Sequence, residues 1–498
     1  MTTRTLHADG FQERSPRLSA AAAWSILAAI AAGLLAVVVA DPPKSDLAGS
    51  VVTLGVIGIW RWSWALLHAV RGALYRYVDF PRLRRAAAGA PKPTHLYVLV
   101  TSYRMPAELN AAVYRRLLEE IRDFGVGATI VACITDPADA VTIEGAFARV
   151  GGLPEGTSLV FSPQRGRGKR DAMARALAFF TETRPGPGAF AVLMDGDSVL
   201  GRGVLERTCS ILASAGDLGA VTTENIPWVK GSVPVREWYR LRMAQRHGQM
   251  CSMSLSRKLL VLTGRFSVFR TEIAVDPEFI LALESDTLRH WRLGDIRMVT
   301  GDDKSTWYVT LKRGWNTLYV PDAVIHPVEE LPAGNFLAAS TALMVRWYGN
   351  MIRNTGRAIA LGPRRVGLFP WLCLVDQRIS MWTTLIGPTS VACLALTRDG
   401  SVVAAYLLWV LASRSIACLA IFGVAGRGHP LFPLILYYSQ VVGALVKIYM
   451  SFNPDRQRWT RQSAAGGAAI DANALVSGFL HGLFTLLFVA VVALVVLV

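Results

Sequence analysis

The chain has 498 residues, 52% of them hydrophobic, and a formal net charge of +16 at pH 7. This apolar share and a mean hydropathy of +0.36 exclude an ordinary soluble enzyme and predict a membrane protein. The positive charge would suit a nucleic-acid-binding protein, but the sequence has no nucleic-acid-binding signature and much of the charge flanks apolar segments. We therefore expect anionic lipid or an anionic substrate as its partner.

Residues 1–18 are predicted to form a cytoplasmic tail, and residues 19–72 to form two transmembrane helices. The segment from Ser19 to Ala40 has no charged residue and is long enough to cross a hydrocarbon core of about 30 Å. A signal peptide is the alternative, but the segment is longer than the apolar part of one, and a second apolar run follows at 49–70. Basic residues after Arg71 predict that the chain continues on the cytoplasmic side.

Residues 90–338 contain no run apolar enough to cross a membrane and are predicted to form a cytoplasmic α/β domain. Short runs rich in Val, Leu, Ile or Phe alternate with helical segments, which predicts a mainly parallel, Rossmann-like sheet with helices on both faces. Ligands of such sheets bind beyond the carboxyl ends of the strands. The predicted strands are 95–103, 128–136, 158–163 and 189–200.

Three aspartates lie at these predicted strand ends, namely Asp136, Asp195 and Asp197. Carboxylates on neighbouring strand ends would repel one another unless a cation lies among them, and such hard oxygen ligands suit Mg²⁺ or Mn²⁺ carrying a diphosphate. The alternative is that Asp-Gly-Asp forms a turn with a side-chain cap. The strand before it and the acids further along the chain favour the metal.

Lys169 and Arg170 follow a Gly-rich turn and begin a predicted helix. Positive side chains at a helix N-terminus, together with the free backbone N–H groups there, favour a phosphate. A solvated basic turn is the alternative. With the acidic cluster nearby, we expect this pair to lie beside the diphosphate of a nucleotide.

The C-terminal part returns to the membrane. Residues 339–380 are predicted to form amphipathic helices at the membrane surface, because this segment combines Arg and Trp with apolar residues. Apolar runs then dominate residues 381–498, interrupted by a basic loop at 452–473. The number of crossings stays open, because counting every run as a span places this basic loop on the outer side.

The order of several motifs resembles that of the processive family 2 glycosyltransferases, which include the cellulose, chitin and hyaluronan synthases. The resemblance covers most of the chain and implies a GT-A domain inserted between the transmembrane helices of a polytopic membrane protein. One motif departs from the family pattern, which is usually QxxRW, because Leu343 stands at the glutamine position. The matching motifs are Asp136, Lys169 in GKRDA, Asp195 to Asp197, TGRFSVFR at 263–270, GDD at 301–303 and the pair Arg346 and Trp347.

The resemblance also implies roles for individual residues. Asp303 is expected to act as the general base that takes the proton of the acceptor hydroxyl, and the neighbouring Asp302 to raise its pKa by repulsion. The alternative for both aspartates is that they cap a helix predicted to begin at Lys304. Asp195 and Asp197 are expected to hold the divalent metal ion. The nucleotide sugar is expected to contact Thr101, Tyr103, Asp136, Lys169, Arg170 and Asp195, and the acceptor to contact Gly264, Arg265, Arg346 and Trp347. The alternative for Arg346 and Trp347 is an anchor at the lipid headgroups.

The flanking membrane helices imply that synthesis is coupled to export, because a polysaccharide is too polar to cross lipid alone. The C-terminal region is expected to enclose a channel, gated by a loop that contains Trp459, Thr460 and Arg461. Arg378 and Arg414 lie within or beside apolar runs and are expected to face this channel, since a charge in lipid is costly.

Within this family, GDDKSTW and MVRWYGNMIRN most resemble the alginate polymerases. That resemblance implies a processive, inverting enzyme of the bacterial inner membrane that makes poly-β-D-mannuronate from GDP-mannuronic acid, with a separate cyclic di-GMP-binding membrane protein as a further partner. The alternatives are a hyaluronan-, chitin- or cellulose-like synthase that uses a UDP-sugar, and a non-processive transferase of lipid-linked sugars. A transporter or scaffold that only binds a nucleotide is the alternative outside enzymes.

Overall fold

The structure is a computed structural model of the chain. It describes residues 20–42, 48–164, 168–290, 292–297, 300–329, 331, 334–456 and 472–497. The predicted cytoplasmic tail and the predicted gating residues Trp459, Thr460 and Arg461 lie outside the described residues.

Two long helices precede the α/β domain. They are α1 (Ala20–Ala40) and α2 (Ala48–Leu74), and a π-helical turn then leads into the short helix α3 (Phe80–Ala87). This region is tied to the domain by polar contacts: Arg71 Nη2 donates to Ser256 Oγ over 2.6 Å, and the buried Tyr75 hydroxyl donates to Tyr319 O over 2.6 Å. The α/β domain is therefore attached directly to the end of the second helix.

A mixed sheet forms the centre of the domain. Among the described residues its order is β3-β2-β1-β4-β8-β6-β11-β5, with β7 paired to β11. The strands are β1 (Leu96–Thr101), β2 (Ala128–Ile134), β3 (Ser158–Pro163), β4 (Phe190–Asp195), β5 (Ser198–Leu200), β6 (Leu218–Asn225), β7 (Trp228–Val229), β8 (Phe266–Arg270) and β11 (Asn316–Glu329). A separate two-stranded ribbon is formed by β9 (Thr287–His290) and β10 (Gly294–Arg297).

The first four strands of the order are parallel, whereas β8 runs antiparallel to both of its neighbours, β4 and β6. The α/β fold predicted from the alternation of strands and helices is confirmed, with a larger antiparallel share than predicted. The inner strands β1 and β4 are apolar up to their last residue, because helices cover both faces of the sheet. Each fully buried Val or Leu side chain stabilises the fold by about 1.5–3 kcal/mol.

Helices connect the strands and cover the sheet. They are α4 (Ala107–Phe124), α5 (Pro137–Arg149), α6 (Lys169–Glu182), α7 (Val204–Ala213), α8 (Val233–Ser254), α9 (Thr271–Ala274), α10 (Pro277–Glu284) and α11 (Asp302–Lys312). Strand register brings the ends of three strands together, since Thr101 at the end of β1 is paired with both Cys133 and Asp195. The carboxyl ends of β1, β2 and β4 thus form one edge.

The chain ends in a helical bundle. Its helices are α12 (Phe336–Ala360), α13 (Gly362–Val366), α14 (Leu368–Thr397), α15 (Val402–Ala425), α16 (Phe432–Phe452) and α17 (Ala472–Leu497). Among the described residues, five helices are long and apolar enough to cross a membrane, namely α1, α14, α15, α16 and α17. The chain is therefore a membrane protein. Helix α2 is not among the five, and it contacts α14 through an Arg61 to Asp376 ion pair of 2.8 Å.

Helix α12 connects the domain to the bundle, because it packs against α11 on one side and α16 on the other. The two arginines expected to face a channel have partners inside the bundle. Arg378 Nη2 donates to Ile352 O over 2.6 Å, and Arg414 Nε donates to Gln440 Oε1 over 3.0 Å. Their exposure to a channel stays a prediction.

Candidate active site

A cavity of about 390 Å³ lies beyond the carboxyl ends of β1 and β4, between the sheet and helices α11 and α12. Most residues expected to form the site line this cavity, although they come from distant parts of the sequence. They are Thr101, Tyr103, Lys169, Asp195, Asp197, Gly264, Arg265, Asp302, Asp303, Arg346 and Trp347.

The Asp-Gly-Asp segment begins at the end of β4, and both of its aspartates line the cavity. Asp195 is the last residue of β4, and its Oδ1 accepts from Thr101 Oγ1 over 3.3 Å. Gly196 N donates to Thr101 O over 2.8 Å, and a Cβ at this position would lie 2.8 Å from the same oxygen. Only glycine therefore allows the chain to pass so close to β1, which keeps Asp195 and Asp197 beside each other at the cavity wall.

Lys169 joins the two acidic segments of the cavity. Its Nζ lies 2.6 Å from Asp195 Oδ1 and 2.6 Å from Asp302 Oδ2. Burial alone would lower the pKa of Lys169, but the charges and hydrogen bonds of these carboxylates outweigh burial and raise it. Burial raises the pKa of Asp195 to about 6, against the opposing charge of Lys169. The ammonium group is thus held between a strand end and a helix start.

Asp302 and Asp303 form the first turn of α11, which begins two residues before the predicted start at Lys304. The N-cap is Gly301, whose φ is +84° and where a Cβ would lie 2.7 Å from Asn350 Cγ. Gly301 therefore occupies the N-cap position, whereas Asp303 Oδ1 accepts from Lys304 N over 2.9 Å within the first turn. Their carboxylates lie at the positive end of the helix dipole, where negative charge is favoured.

The two neighbouring aspartates differ in their electrostatics. Burial raises the pKa of Asp303, and the charge of Asp302 raises it further. Burial would also raise the pKa of Asp302, but the charge and hydrogen bond of Lys169 lower it instead. Asp303 is thus the more basic member of the pair, and Asp302 is the ionised partner of Lys169.

Gly264 and Arg265 lie in the loop before β8. A Cβ at Gly264 would lie 3.0 Å from Asp302 Oδ2, so this glycine lets the loop approach α11. Arg265 forms an ion pair with Glu329, which also accepts from the Tyr239 hydroxyl over 3.2 Å. Arg265 Nη1 is buried and, within the described part of the chain, has no hydrogen-bond partner. The Nη1 group of this cavity-lining arginine is thus unpaired among the described residues.

Arg346 and Trp347 lie on the face of α12 that closes the cavity. The Trp347 ring is stacked on Trp238 with centroids 5.5 Å apart and planes 10° apart, and the Arg242 guanidinium lies 5.4 Å from its centre. Leu343, which replaces the usual glutamine, lines the cavity one turn earlier. The indole is therefore held rigidly at the wall beside an apolar position.

Two residues expected at the nucleotide do not line the cavity. Asp136 is exposed after β2, and its Oδ1 caps α5 by accepting from Ala138 N over 2.9 Å. Arg170 is buried, and its guanidinium donates to Leu283 O over 3.0 Å and to Ser305 Oγ over 3.0 Å. Successive helical residues point about 100° apart, so only Lys169 of the basic pair reaches the cavity.

Several cavity residues were not predicted from the sequence. Gln164 directly follows β3, Glu329 ends β11, and Asn350 lies one turn after Arg346 and Trp347. For Glu329 the available signal was an acid at the end of a largely apolar segment, since a buried carboxylate needs a partner.

The donor set suits a metal ion that completes its coordination from a ligand. The described residues hold no group of three or more His, Cys, Asp or Glu side chains arranged to bind a metal. Asp195 and Asp197 lie side by side, and Mg²⁺ commonly binds one or two carboxylates together with substrate phosphates and water. These two residues fit such an ion when a diphosphate is bound.

Comparison with known proteins assigns the α/β domain. Residues 92–350 match the model of the glycosyltransferase-like family 2. Glycosyltransferase alg8 of Pseudomonas syringae pv. tomato is 40% identical over 445 residues, covering 89% of this chain and 90% of that protein. Glycosyltransferase alg8 of Azotobacter vinelandii is 39% identical over 438 residues, covering 86% and 88%. Among solved structures, the mannosyltransferase PcManGT from Pyrobaculum calidifontis in complex with GDP-Man and Mn²⁺ is 19% identical, with a TM-score of 0.45, covering 77% of this chain and 98% of that one.

Proposed function

The chain belongs to the glycosyltransferase-like family 2 and is a membrane-bound glycosyltransferase, and from that premise we propose that it is a processive, inverting polymerase. Its donor is GDP-mannuronic acid, its product is poly-β-D-mannuronate, and growth of the chain is coupled to passage across the bacterial inner membrane. The α/β domain lies on the cytoplasmic side of that membrane. The similarity to two alg8 glycosyltransferases over most of the chain supports this choice among polymerases.

One observation carries the proposal most directly. A single cavity contains the two carboxylates after β4, the more basic carboxylate at the start of α11 and the Arg346 and Trp347 pair of α12. Helix α12 also packs on the membrane helix α16. This arrangement supports a proposed donor site, base and acceptor site next to the bundle through which a product would leave.

Asp303 takes the proton of the acceptor hydroxyl as that oxygen attacks C1 of the donor sugar. The new C1–O bond forms as the bond from C1 to the diphosphate oxygen breaks, and the nucleoside diphosphate leaves with the electron pair. A single attack opposite the leaving group inverts the configuration at C1. The raised pKa of Asp303 makes it a better proton acceptor than an ordinary aspartate.

The other residues bind and orient the reactants. Asp195 and Asp197 would hold Mg²⁺ or Mn²⁺, which when bound offsets the negative charge of the diphosphate. Lys169 places a positive charge between Asp195 and Asp302, within the same wall of the cavity. Thr101 and Tyr103 line the nucleotide side of the cavity. Asp136 caps α5 and Arg170 binds buried carbonyl groups, so these two residues stabilise the fold around the cavity and do not contact the nucleotide.

The acceptor binds along α12 and the loop before β8. Aromatic faces stack on sugar rings, and the fork of an arginine matches a carboxylate, so Trp347 and Arg346 suit a uronic acid polymer. Arg265 Nη1 adds a donor for the same ligand, and Gly264 gives the space for it. Trp459, Thr460 and Arg461 are proposed to gate the exit of the polymer. Membrane lipids and a separate cyclic di-GMP-binding membrane protein are proposed as further partners.

The test is to incubate membranes containing the protein with Mg²⁺ and either GDP-mannuronic acid, GDP-mannose or individual UDP-sugars, and to size the products. We expect a long anionic polymer from GDP-mannuronic acid only, with β-linkages by NMR. Asp123→Asn changes an exposed carboxylate far from the cavity and serves as a control, because it should leave the amount of product unchanged. A product of one sugar per lipid, or a polymer made from a UDP-sugar, would contradict the proposal.

A further inference from the structure

Gln164 directly follows β3 and connects the ends of three strands. Its backbone N donates to Ile134 O over 2.8 Å. Its side-chain Nε2 donates to Ser102 O over 2.7 Å and to Cys133 O over 2.9 Å. An amide NH₂ group has two hydrogens, and both are used here. The orientation of the amide is determined by these partners, since the opposite orientation would place its oxygen against two carbonyl oxygens.

The amide oxygen of Gln164 is therefore left as an acceptor at the cavity. Gln164 lines the cavity, and none of the hydrogen bonds formed among the described residues is made to its Oε1. An amide oxygen has two lone pairs. The wall thus presents a fixed acceptor, held rigidly by two strand ends, to whatever ligand occupies this part of the cavity.

The sheet order places this acceptor on the nucleoside side of the site. Strand β1 lies next to β4 on one side, and β8, which follows Arg265, lies next to β4 on the other. The Gln164 amide binds carbonyl groups at the ends of β1 and β2. These ends lie one to two strand spacings from β4, which ends at Asp195, and that distance is roughly 5–10 Å. With the diphosphate at Asp195 and the acceptor sugar on the opposite side, the nucleoside extends towards Gln164.

An aromatic side chain completes this part of the cavity. Tyr103 lines it, is 38% exposed, and follows Ser102, the residue whose carbonyl binds Gln164. Exposed aromatic rings are stacking surfaces for nucleobases of any sequence, so they bind a base without selecting it. Selection then depends on groups at the edge of the base, and the Gln164 oxygen is such a group.

We propose that Gln164 is a specificity-determining residue whose Oε1 accepts from the N1–H and the N2 amine of guanine. Guanine presents these two donors side by side, whereas uracil presents a single N–H between two carbonyl oxygens. A lone acceptor on the wall therefore favours guanine over uracil. This inference rests on the proposed function, which supplies the nucleoside diphosphate sugar. It adds that the Gln164 side-chain oxygen selects the base.

The experiment measures the dissociation constants of GDP, IDP and UDP with Mg²⁺ for the full chain in lipid nanodiscs. IDP lacks only the N2 amine. We expect the wild-type protein to bind GDP several-fold more tightly than IDP and UDP. Gln164→Leu should raise the dissociation constant of GDP about tenfold, as for one lost hydrogen bond in a buried site. The GDP and IDP constants should then become equal. Gln249→Leu, the same change at an exposed position on α8, should leave all three constants unchanged.

Equal binding of GDP and IDP by the wild type would overturn the inference. So would a Gln164→Leu variant that keeps the wild-type ratio, or one that weakens all three nucleotides equally with a lowered melting temperature, because that pattern belongs to a structural role alone. In each of these cases polymer formation from GDP-mannuronic acid would still stand. If the wild type bound no nucleoside diphosphate, or preferred UDP, the proposed donor and this inference would both fail.

Discussion

Lys169 Nζ lies 2.6 Å from Asp302 Oδ2, a contact that joins residues 133 positions apart in the chain. The same ammonium group contacts Asp195 at the end of β4. It therefore connects the segment proposed to hold the metal with the segment that carries the proposed base.

Replacing Lys169 with Met should lower kcat by about 10²–10³-fold, because one preorganised positive charge beside the diphosphate is worth that much. The change also leaves Asp195 and Asp302 without their common partner. Initial rates of GDP release measure the effect. Lys230→Met, at an exposed position, is the matched control and should keep the wild-type rate. A fully active Lys169→Met variant would exclude the proposed role.

Asp303→Asn should lower kcat by about 10²–10⁴-fold, since it removes a general base without changing the size of the side chain. The dissociation constant of GDP should change little, because the nucleotide is proposed to lie against other walls of the cavity. Polymer yield and GDP binding are measured on the same preparation. Loss of GDP binding together with activity would argue that Asp303 is structural.

The pH dependence should report the raised pKa of Asp303. A base must be ionised, so the rate falls as the pH falls through its pKa, and the acid limb should lie above the usual aspartate value of about 3.9. Asp302→Asn removes a charge that raises this pKa, so the limb should move to lower pH. Lys169→Met removes a charge that lowers it, so the limb should move to higher pH. Shifts in the same direction for both variants would contradict this assignment.

Trp347→Ala should shorten the polymer more than it slows donor use. The indole is held between Trp238 and the cavity, and its removal deletes a stacking surface for the acceptor sugar. Product size by gel filtration and GDP release per polymer end are the two readouts. Trp409→Ala, at a position on α15 that is 60% exposed, is the control. Unchanged product length would remove Trp347 from the acceptor site.

Arg170→Lys should lower stability without changing nucleotide affinity. The guanidinium holds α10 and the start of α11 through several acceptors, and a lysine cannot reproduce that fork. We expect a loss of about 3 kcal/mol, as for other broken buried charge networks, and a lower melting temperature. Arg149→Lys, an exposed change on α5, serves as the control. A large loss of GDP affinity at an unchanged melting temperature would instead place Arg170 at the ligand.

The strands and the strand-end motifs were predictable because both signals are local. The first predicted strand, 95–103, is β1 at 96–101, and the acids after β4 follow from a buried apolar run ended by Asp-Gly-Asp. The antiparallel direction of β8 was not predictable, because a five-residue apolar segment carries no information about its direction relative to its neighbours in the sheet. The start of α11 differed by two residues, since Gly301 at positive φ replaced a side-chain cap.

The sequence by itself determined that the chain is a membrane protein with an alternation of strands and helices and with the family motifs, because each depends on residue type and spacing over a few turns. Only the tertiary structure decided that Lys169 bridges two acidic segments, that Asp136 caps a helix and that Arg170 turns into the core. It also decided which atom of Gln164 remains available to a ligand. These outcomes depend on where side chains from distant segments meet, and packing across the sheet sets those distances.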